Sequence, residues 1–155
     1  MIHLEKITRE NLDAVLEMKI KEEQRTFVST VAVSLAKAYV YRDTAFPFAV
    51  YDDETPVGFI MLGYYEARNQ YTLWAFFIDE KYQGRGYGRR ALELGIAYLK
   101  ENHGAREVFT GVIPENAAAL SLYRSVGFAE TGFAENGMLE MKFSLDESGD
   151  DKNNR

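Results

Sequence analysis

The sequence has no cysteine and only two histidines, His3 and His103, among its 155 residues. The missing thiol excludes disulfide frameworks, thiolate nucleophiles and thiolate zinc sites. Both histidines fall near the ends of predicted elements, which argues against a histidine-based triad or metal centre. We therefore expect a protein without a structural or catalytic metal.

Long apolar runs are also missing: no stretch approaches the roughly 18 residues that span a bilayer. The opening "MIHLEKITREN" lacks the pattern of a signal peptide. The net charge is −6, and four acids and two bases in the last ten residues contribute −2 of it, leaving −4 on the rest. An acidic body argues against nucleic-acid and anionic-membrane partners and is compatible with cationic ones. These features predict a cytoplasmic protein.

Length and composition predict one domain. A chain of 155 residues that is 46% hydrophobic and 14% aromatic can bury a substantial core. We place the domain at residues 1–145 and predict a disordered polar tail over residues 146–155, "DESGDDKNNR".

Hydrophobic periodicity alternates between strand and helix patterns along the chain. Strands are predicted at residues 2–7, 46–52, 56–66, 71–79, 107–113, 128–135 and 137–145. Helices are predicted at 9–19 after a Thr8 cap, at 31–43 after Ser29 or Thr30, between a glycine turn and Gly104, and between Pro114 and Gly127. This order predicts an α/β fold, a single mixed sheet with helices on both faces.

A glycine-rich turn, "DEKYQGRGYGRRALELG" at residues 79–95, follows the fourth strand. Amides in the first turn of a helix have no intrahelical acceptor, so the turn favours a phosphate-bearing ligand. Gly86 and Gly88 allow close approach, and Arg85, Arg89 and Arg90 add positive charge. The pattern is neither a P-loop nor a dinucleotide-binding fingerprint. A glycine-rich helix start with solvated arginines remains an alternative, and an RNA-binding role is less compatible with the acidic chain.

A second pattern lies in "NAAALSLYRSVGF". Ala119, Leu122, Tyr123 and Val126 share one face of a helix, so Tyr123 is predicted to be buried. Its hydroxyl then needs a partner. From the residues alone, a core tyrosine bonded to a carbonyl and a functional tyrosine are both possible.

Together the two segments resemble the GCN5-related N-acetyltransferase (GNAT) family over residues 2–144. The first signature, Q/R-x-x-G-x-G/A, falls on Gln83, Gly86 and Gly88. The second falls on Asn116, Ala119, Leu122, Tyr123, Gly127 and Phe128. The resemblance implies a mostly antiparallel seven-stranded sheet that is splayed at its central strands, and acetyl-CoA as donor.

The resemblance also implies a coenzyme site. The pyrophosphate would lie on residues Gln83, Gly84, Arg85, Gly86, Tyr87, Gly88 and Arg89. The pantetheine arm would pair with the backbone of Phe76 and Ile78, and Asn116 would contact it. Tyr123 would be the general acid that protonates the departing thiolate. We expect direct transfer to an amine in a ternary complex.

The resemblance does not determine which group removes a proton from the acceptor amine. Many members have a glutamate base on the central strand, where this chain has Trp74 and Ala75. Glu23, Glu66, water relays and selection of the neutral amine stay open as the route for proton removal.

The chain is most like bacterial diamine and polyamine acetyltransferases, which act on spermine and spermidine. This implies a cationic amine substrate and a homodimer. The candidate acceptor contacts are Glu22, Glu23, Glu66 and Trp74. An aminoglycoside, an amino acid or a protein N-terminus remains an alternative acceptor, and a non-catalytic acetyl-CoA sensor remains an alternative function.

Overall fold

The computed structural model describes residues 1–22 and 30–145. Glu23 and the tail at residues 146–155 lie outside the described residues. In chain order the elements are β1 (Ile2–Lys6), α1 (Leu12–Leu16), α2 (Val31–Val40), β2 (Ala45–Asp52), β3 (Thr55–Tyr65), β4 (Gln70–Ile78), α3 (Tyr87–His103), β5 (Glu107–Val112), α4 (Ala117–Val126), β6 (Ala129–Glu135) and β7 (Met138–Ser144). Within the two described ranges, no helix combines the length and apolar character needed to cross a membrane.

The seven strands form one sheet in the order β1-β2-β3-β4-β5-β7-β6. Its strand pairs are antiparallel except for β4 and β5, which are parallel. This confirms the predicted α/β fold with a mostly antiparallel sheet.

The sheet is splayed between β4 and β5. These described strands share a single register pair, Thr72 with Phe109. By contrast, β4 pairs with β3 from Gln70 to Ile78. The two central strands therefore separate beyond Thr72, and a cleft opens between them.

Helices cover both faces of the sheet. On one face, Leu92 and Leu99 of α3 pack in a cluster with Ile60 and Leu62 of β3. On the other, Val15 of α1, with Val31 and Ala38 of α2, packs in a cluster with Phe59 and Met61 of β3. The continuous apolar run of β3 follows from this arrangement, because its alternate side chains enter different cores.

The start of α1 differs from the prediction. The helix begins at Leu12 with Asn11 as its N-cap, and it ends at Leu16. The Asn11 side chain accepts a hydrogen bond from the Thr8 N–H at 2.8 Å and donates one to the Lys6 carbonyl at 3.0 Å. These bonds stabilise a turn before the helix, so Thr8 is not the cap. Thr30, in contrast, caps α2 as predicted, accepting from the Val33 N–H at 3.2 Å.

Candidate active site

A cleft of about 480 Å³ lies at the splay, between β4, β5, the start of α3, and α4. Eleven of the residues predicted for the site line it: Trp74, Phe76, Ile78, Gln83, Gly84, Gly86, Tyr87, Gly88, Arg89, Asn116 and Tyr123. The two sequence patterns, separated by a helix and a strand along the chain, therefore meet in one place.

The glycine turn forms one end of the cleft. Gly84 and Gly86 have φ angles of 79° and 83°, in the left-handed region that favours glycine. Gly86 is the N-cap of α3, and the Arg90 N–H donates to its carbonyl at 3.4 Å. The amides of residues 87–89 precede this first helical hydrogen bond and point out of the helix start. Amides in this position, together with the helix dipole, give this end of the cleft the partial positive charge that suits an anion.

Gly88 has a different role from Gly86. A Cβ at Gly86 would meet no atom within 4 Å, whereas one at Gly88 would lie 3.4 Å from Leu122, 3.6 Å from Phe76 and 3.8 Å from Ile78. Both glycines were predicted to allow ligand approach. In the structure Gly86 supplies a left-handed backbone conformation, whereas a side chain at Gly88 would meet Leu122, Phe76 and Ile78 at ordinary van der Waals distances.

The polar side chains of the turn bind neighbouring parts of the protein. The Gln83 side-chain amide donates to the Ile78 carbonyl at 2.9 Å, which ties the turn to the end of β4. The Arg89 guanidinium donates to the Ser125 carbonyl at 2.8 Å, near the C-terminus of α4, where a cation is favourable. Both side chains thus help to fix the walls of the cleft.

Tyr87 links the turn to β2. Its hydroxyl donates to the Asp52 carboxylate at 2.7 Å. This bond raises the pKa of Tyr87 and lowers the pKa of Asp52. Arg85 is exposed and lies outside the cleft lining, with its guanidinium 5.5 Å from the centre of the Tyr82 ring.

Tyr123 lines the cleft from α4. It is the buried residue of α4, with 9% of its surface exposed. Burial raises the pKa of Tyr123 to about 12, and a hydrogen bond with the Thr110 side chain partly opposes this rise. The phenol therefore keeps its proton at neutral pH and can act as an acid.

Thr110 is a site residue that the sequence analysis missed. Its hydroxyl donates to the Leu73 carbonyl at 3.3 Å, and the residue lines the cleft. The signal was present in "EVFTGVI", where threonine takes an inward position between Val108 and Val112. A polar residue in the apolar register of a strand indicates a buried hydrogen bond.

Asn116 is the N-cap of α4. Its side-chain oxygen accepts a hydrogen bond from the Ala119 N–H at 3.2 Å, while the residue also lines the cleft. Capping accounts for the residue type at this position. The side-chain amide is a second, donating group that a ligand can use.

Trp74 stands at a bulge in β4. Met61 of β3 pairs with Ala75, but the next residue, Leu62, pairs with Leu73, so Trp74 is the extra residue. Trp74 and Ala75 pack toward the core of α1 and α2, whereas Phe76 packs toward that of α3 and α4. The indole of Trp74 thus lines the cleft while packing against the core of α1 and α2.

The carboxylates predicted for the acceptor lie elsewhere or outside the described residues. Glu22 and Glu66 are exposed and do not line the cleft, and Glu23 is not among the described residues. Among the described residues that line the cleft there is no aspartate, glutamate or histidine. In residues 1–22 and 30–145, no three such side chains are grouped as metal ligands.

Known proteins are similar to this chain in sequence and in fold. The chain is 29% identical over 140 residues to a spermine/spermidine N(1)-acetyltransferase of Bacillus subtilis, covering 84% of this chain and 90% of the relative. Over 63 residues it is 40% identical to the N-alpha-acetyltransferase RimI of Mycobacterium tuberculosis, which covers 41% of this chain and 37% of the relative.

A solved structure of a spermidine N-acetyltransferase from Vibrio cholerae, in complex with CoA and spermine, has a TM-score of 0.73 at 18% identity. The match covers 93% of this chain and 95% of that one. The model of the acetyltransferase (GNAT) family matches residues 12–128, where both patterns lie. The exposed amides at the start of α3 and the cleft beside them fit acetyl-CoA as co-substrate. The chain therefore belongs to the GNAT family of acetyltransferases.

Proposed function

We propose that this enzyme transfers an acetyl group from acetyl-CoA to a primary amine of a polyamine such as spermine or spermidine, directly and within a ternary complex. The observation that supports this most is that three kinds of group line one cleft: the glycine turn at the start of α3, the buried phenol of Tyr123 and the indole of Trp74. The exposed amides of the turn suit the phosphates of the coenzyme, and the indole suits a flexible cation.

We assign coenzyme binding to the glycine turn and to β4. Amides of residues 87–89 would bind phosphate oxygens, and Asn116 would contact the coenzyme arm. The backbone of Phe76 and Ile78, on the strand that leaves β5 after Thr72, would pair with that arm. When bound, acetyl-CoA supplies an acetyl group activated as a thioester.

Tyr123 is assigned the proton donation to the departing sulfur. A phenol with a pKa of about 12 is a weak acid beside an ordinary thiol. Burial in the same cleft raises the pKa of a thiol too, which offsets part of the difference in pKa between donor and acceptor. Holding the phenol at the reacting centre is the main contribution of this residue.

Proton removal from the acceptor is assigned to water or to binding of the neutral amine. This follows from the lack of carboxylate and imidazole groups among the described cleft residues. We assign Glu22, Glu23 and Glu66 to longer-range attraction of the cation, and Trp74 to direct contact with it.

Acetylation of a protein N-terminus is the second candidate. It is favoured by the similarity to the N-alpha-acetyltransferase over residues that amount to 41% of this chain. Both candidates use the same coenzyme end, so only the acceptor distinguishes them.

The proposal includes a homodimer working in the cytoplasm. All seven residues of the edge strand β6 are exposed, and Phe133 on it is 40% exposed. Unpaired edges of this kind favour association with another chain.

The experiment is thiol release from acetyl-CoA with a panel of spermine, spermidine, putrescine and a short peptide with a free N-terminus. The proposal predicts selective turnover of spermine or spermidine. Selective turnover of the peptide would favour the second candidate. Coenzyme binding without acetylation of any acceptor would contradict both and favour a sensor.

A further inference from the structure

The glycine turn before α3 has open space at its two left-handed residues. Gly84 and Gly86 both have positive φ, and among the described residues a Cβ at either would meet no atom within 4 Å. Glycine loses more conformational freedom on ordering than any other residue, so a turn that contains two of them has many alternative shapes. Contacts at the two ends of the turn must therefore fix the arrangement of amides that a ligand meets.

Two side-chain hydrogen bonds hold those ends. On the N-terminal side, the Gln83 amide donates to the Ile78 carbonyl at 2.9 Å and ties the turn to β4. On the C-terminal side, the Tyr87 hydroxyl donates to the Asp52 carboxylate at 2.7 Å. This second bond ties the first residue of α3 to the last residue of β2, and the exposed amides of residues 87–89 begin there.

The hydroxyl is the part of Tyr87 that packing does not require. The ring packs against the core cluster on the α3 face, and its centre lies 6.5 Å from that of the Tyr82 ring. A phenylalanine ring could make these contacts equally well. A partly buried phenol needs a polar partner, and a carboxylate accepts more strongly than a neutral oxygen. Asp52 supplies that partner from the sheet, so the bond fixes the helix start against β2.

Asp52 also carries a charge of the same sign as a phosphate. Like charges repel, although the Asp52 side chain is 34% exposed and water screens part of the repulsion. If the carboxylate acts only through its charge, removing it should strengthen phosphate binding. If it acts through Tyr87, removing it should weaken phosphate binding. The two roles thus predict changes of opposite sign.

We infer that Asp52 is a positioning residue for the coenzyme phosphates, acting through Tyr87 to hold the amides of residues 87–89 in the arrangement that binds them. This inference rests on the proposed function, since it uses the proposed placement of the phosphates on the glycine turn. It adds a residue of β2 that lies outside both sequence patterns and outside the lining of the cleft.

A double-mutant cycle on coenzyme affinity, measured by calorimetry, tests the inference. Tyr87→Phe and Asp52→Ala should each raise the dissociation constant of CoA by roughly three- to tenfold, the effect of losing one hydrogen bond. Asp52→Asn keeps an oxygen that can accept from the phenol, so its dissociation constant should stay within about twofold of the wild-type value. Tighter binding of CoA to Asp52→Ala would assign the carboxylate to charge repulsion and overturn the inference.

The Tyr87→Phe background separates this role from other contacts of Asp52, which also accepts from the Met1 ammonium at 3.2 Å. If Asp52 acts through the phenol, adding Asp52→Ala to Tyr87→Phe should cause no further loss of CoA affinity. An equal loss in both backgrounds would overturn the inference. Thermal unfolding identifies any variant that fails to fold. Tyr87→Phe, which keeps the packed ring, is a test by itself, because unchanged CoA affinity in that variant would contradict the inference.

Pantetheine, the part of CoA without the phosphates and the adenosine, distinguishes an effect on the phosphates from general damage to the cleft. Its dissociation constant is obtained by competition against CoA. Asp52→Ala and Tyr87→Phe should leave that constant within about twofold of the wild-type value while they weaken CoA binding. An equal loss for both ligands would indicate a disturbed cleft and contradict the inference.

The same measurements separate this inference from the proposed function. A wild-type protein that binds pantetheine as tightly as CoA would contradict the proposed placement of the phosphates, and the role of Asp52 with it. Tighter binding of CoA than of pantetheine, with no effect of Tyr87→Phe, would contradict the role of Asp52 alone. The expected losses of CoA affinity in a protein that acetylates no amine would contradict the proposed reaction and support the role of Asp52.

Discussion

At the scale of single residues, the account depends first on Tyr123. Its buried phenol stays protonated at neutral pH because burial raises its pKa to about 12. Tyr123→Phe keeps the ring that packs 5.6 Å from Phe128, measured between ring centres, and removes only the acid. We expect kcat to fall by about 10²–10⁴-fold, the usual contribution of a positioned acid, measured by steady-state kinetics.

The matched measurement is CoA binding by calorimetry. The dissociation constant of CoA for Tyr123→Phe should stay within about twofold of the wild-type value, because we assign the phenol to the chemical step and not to coenzyme affinity. Unchanged kcat would remove Tyr123 from the chemistry.

The expected pH dependence of kcat/KM follows from Tyr123 and from the acceptor amine. An acid must be protonated to act, and a raised pKa leaves Tyr123 protonated until the pH nears about 12. The acceptor amine must instead be neutral, so kcat/KM should rise with pH toward the pKa of that amine. No loss of activity from Tyr123 is expected below about pH 10.

Repeating the profile with an acceptor of lower amine pKa should move the rising limb to lower pH by the same amount. A limb that does not move would indicate a titrating group of the enzyme and contradict proton loss to water.

Substitutions of Trp74 test its proposed contact with the acceptor amine. A cation against an indole ring gains about 0.5–2 kcal/mol, so Trp74→Ala should raise KM for spermine by roughly 2–30-fold. Trp74→Phe, which keeps an aromatic face, is the matched control and should show a smaller rise. Equal effects of the two substitutions would indicate a packing role, since the ring lies beside Gly63 and Tyr41.

At the scale of elements, we make a prediction for Gly86, the N-cap of α3. Gly86 has φ of 83° but open space at its Cβ position, so Gly86→Ala costs backbone strain and no clash. We expect about 1–2 kcal/mol of strain, expressed as weaker CoA binding or lower stability. Asparagine tolerates the left-handed region better than alanine, so Gly86→Asn should be less affected. Equal affinity and stability of Gly86→Ala and wild type would contradict this role.

Sequence patterns predicted the strand and helix order, a start of α2 at Ser29 or Thr30, and the two segments that meet in the cleft. They could not predict features that arise from pairing between distant strands. The bulge at Trp74 shifts the side-chain alternation of β4, but a nearly continuous apolar strand hides such a shift. Asn11 falls inside the helix predicted at residues 9–19, but its bonds to Thr8 and Lys6, which form only once the chain turns, leave it as the N-cap before Leu12.

At the scale of the whole molecule, charge is the relevant property. The chain has a net charge of −6, and a polyamine is a multiply charged cation. Attraction between them accelerates encounter and is screened by salt, with a Debye length of about 10 Å at 0.1 M and 3 Å at 1 M. We therefore expect kcat/KM for spermine to fall as salt rises over this range. The matched control is a monoamine acceptor, for which the fall should be smaller; equal salt dependence would contradict electrostatic attraction of the polyamine.

The central claim is direct acetyl transfer to a polyamine, and mass spectrometry of one reaction mixture tests it most directly. Protein, acetyl-CoA and spermine are mixed, and the molecular masses of the spermine and of the intact protein are measured. The account predicts acetylated spermine, in an amount equal to the thiol released, and a protein of unchanged mass. Unmodified spermine, or a protein that has gained an acetyl group as an intermediate, would contradict it.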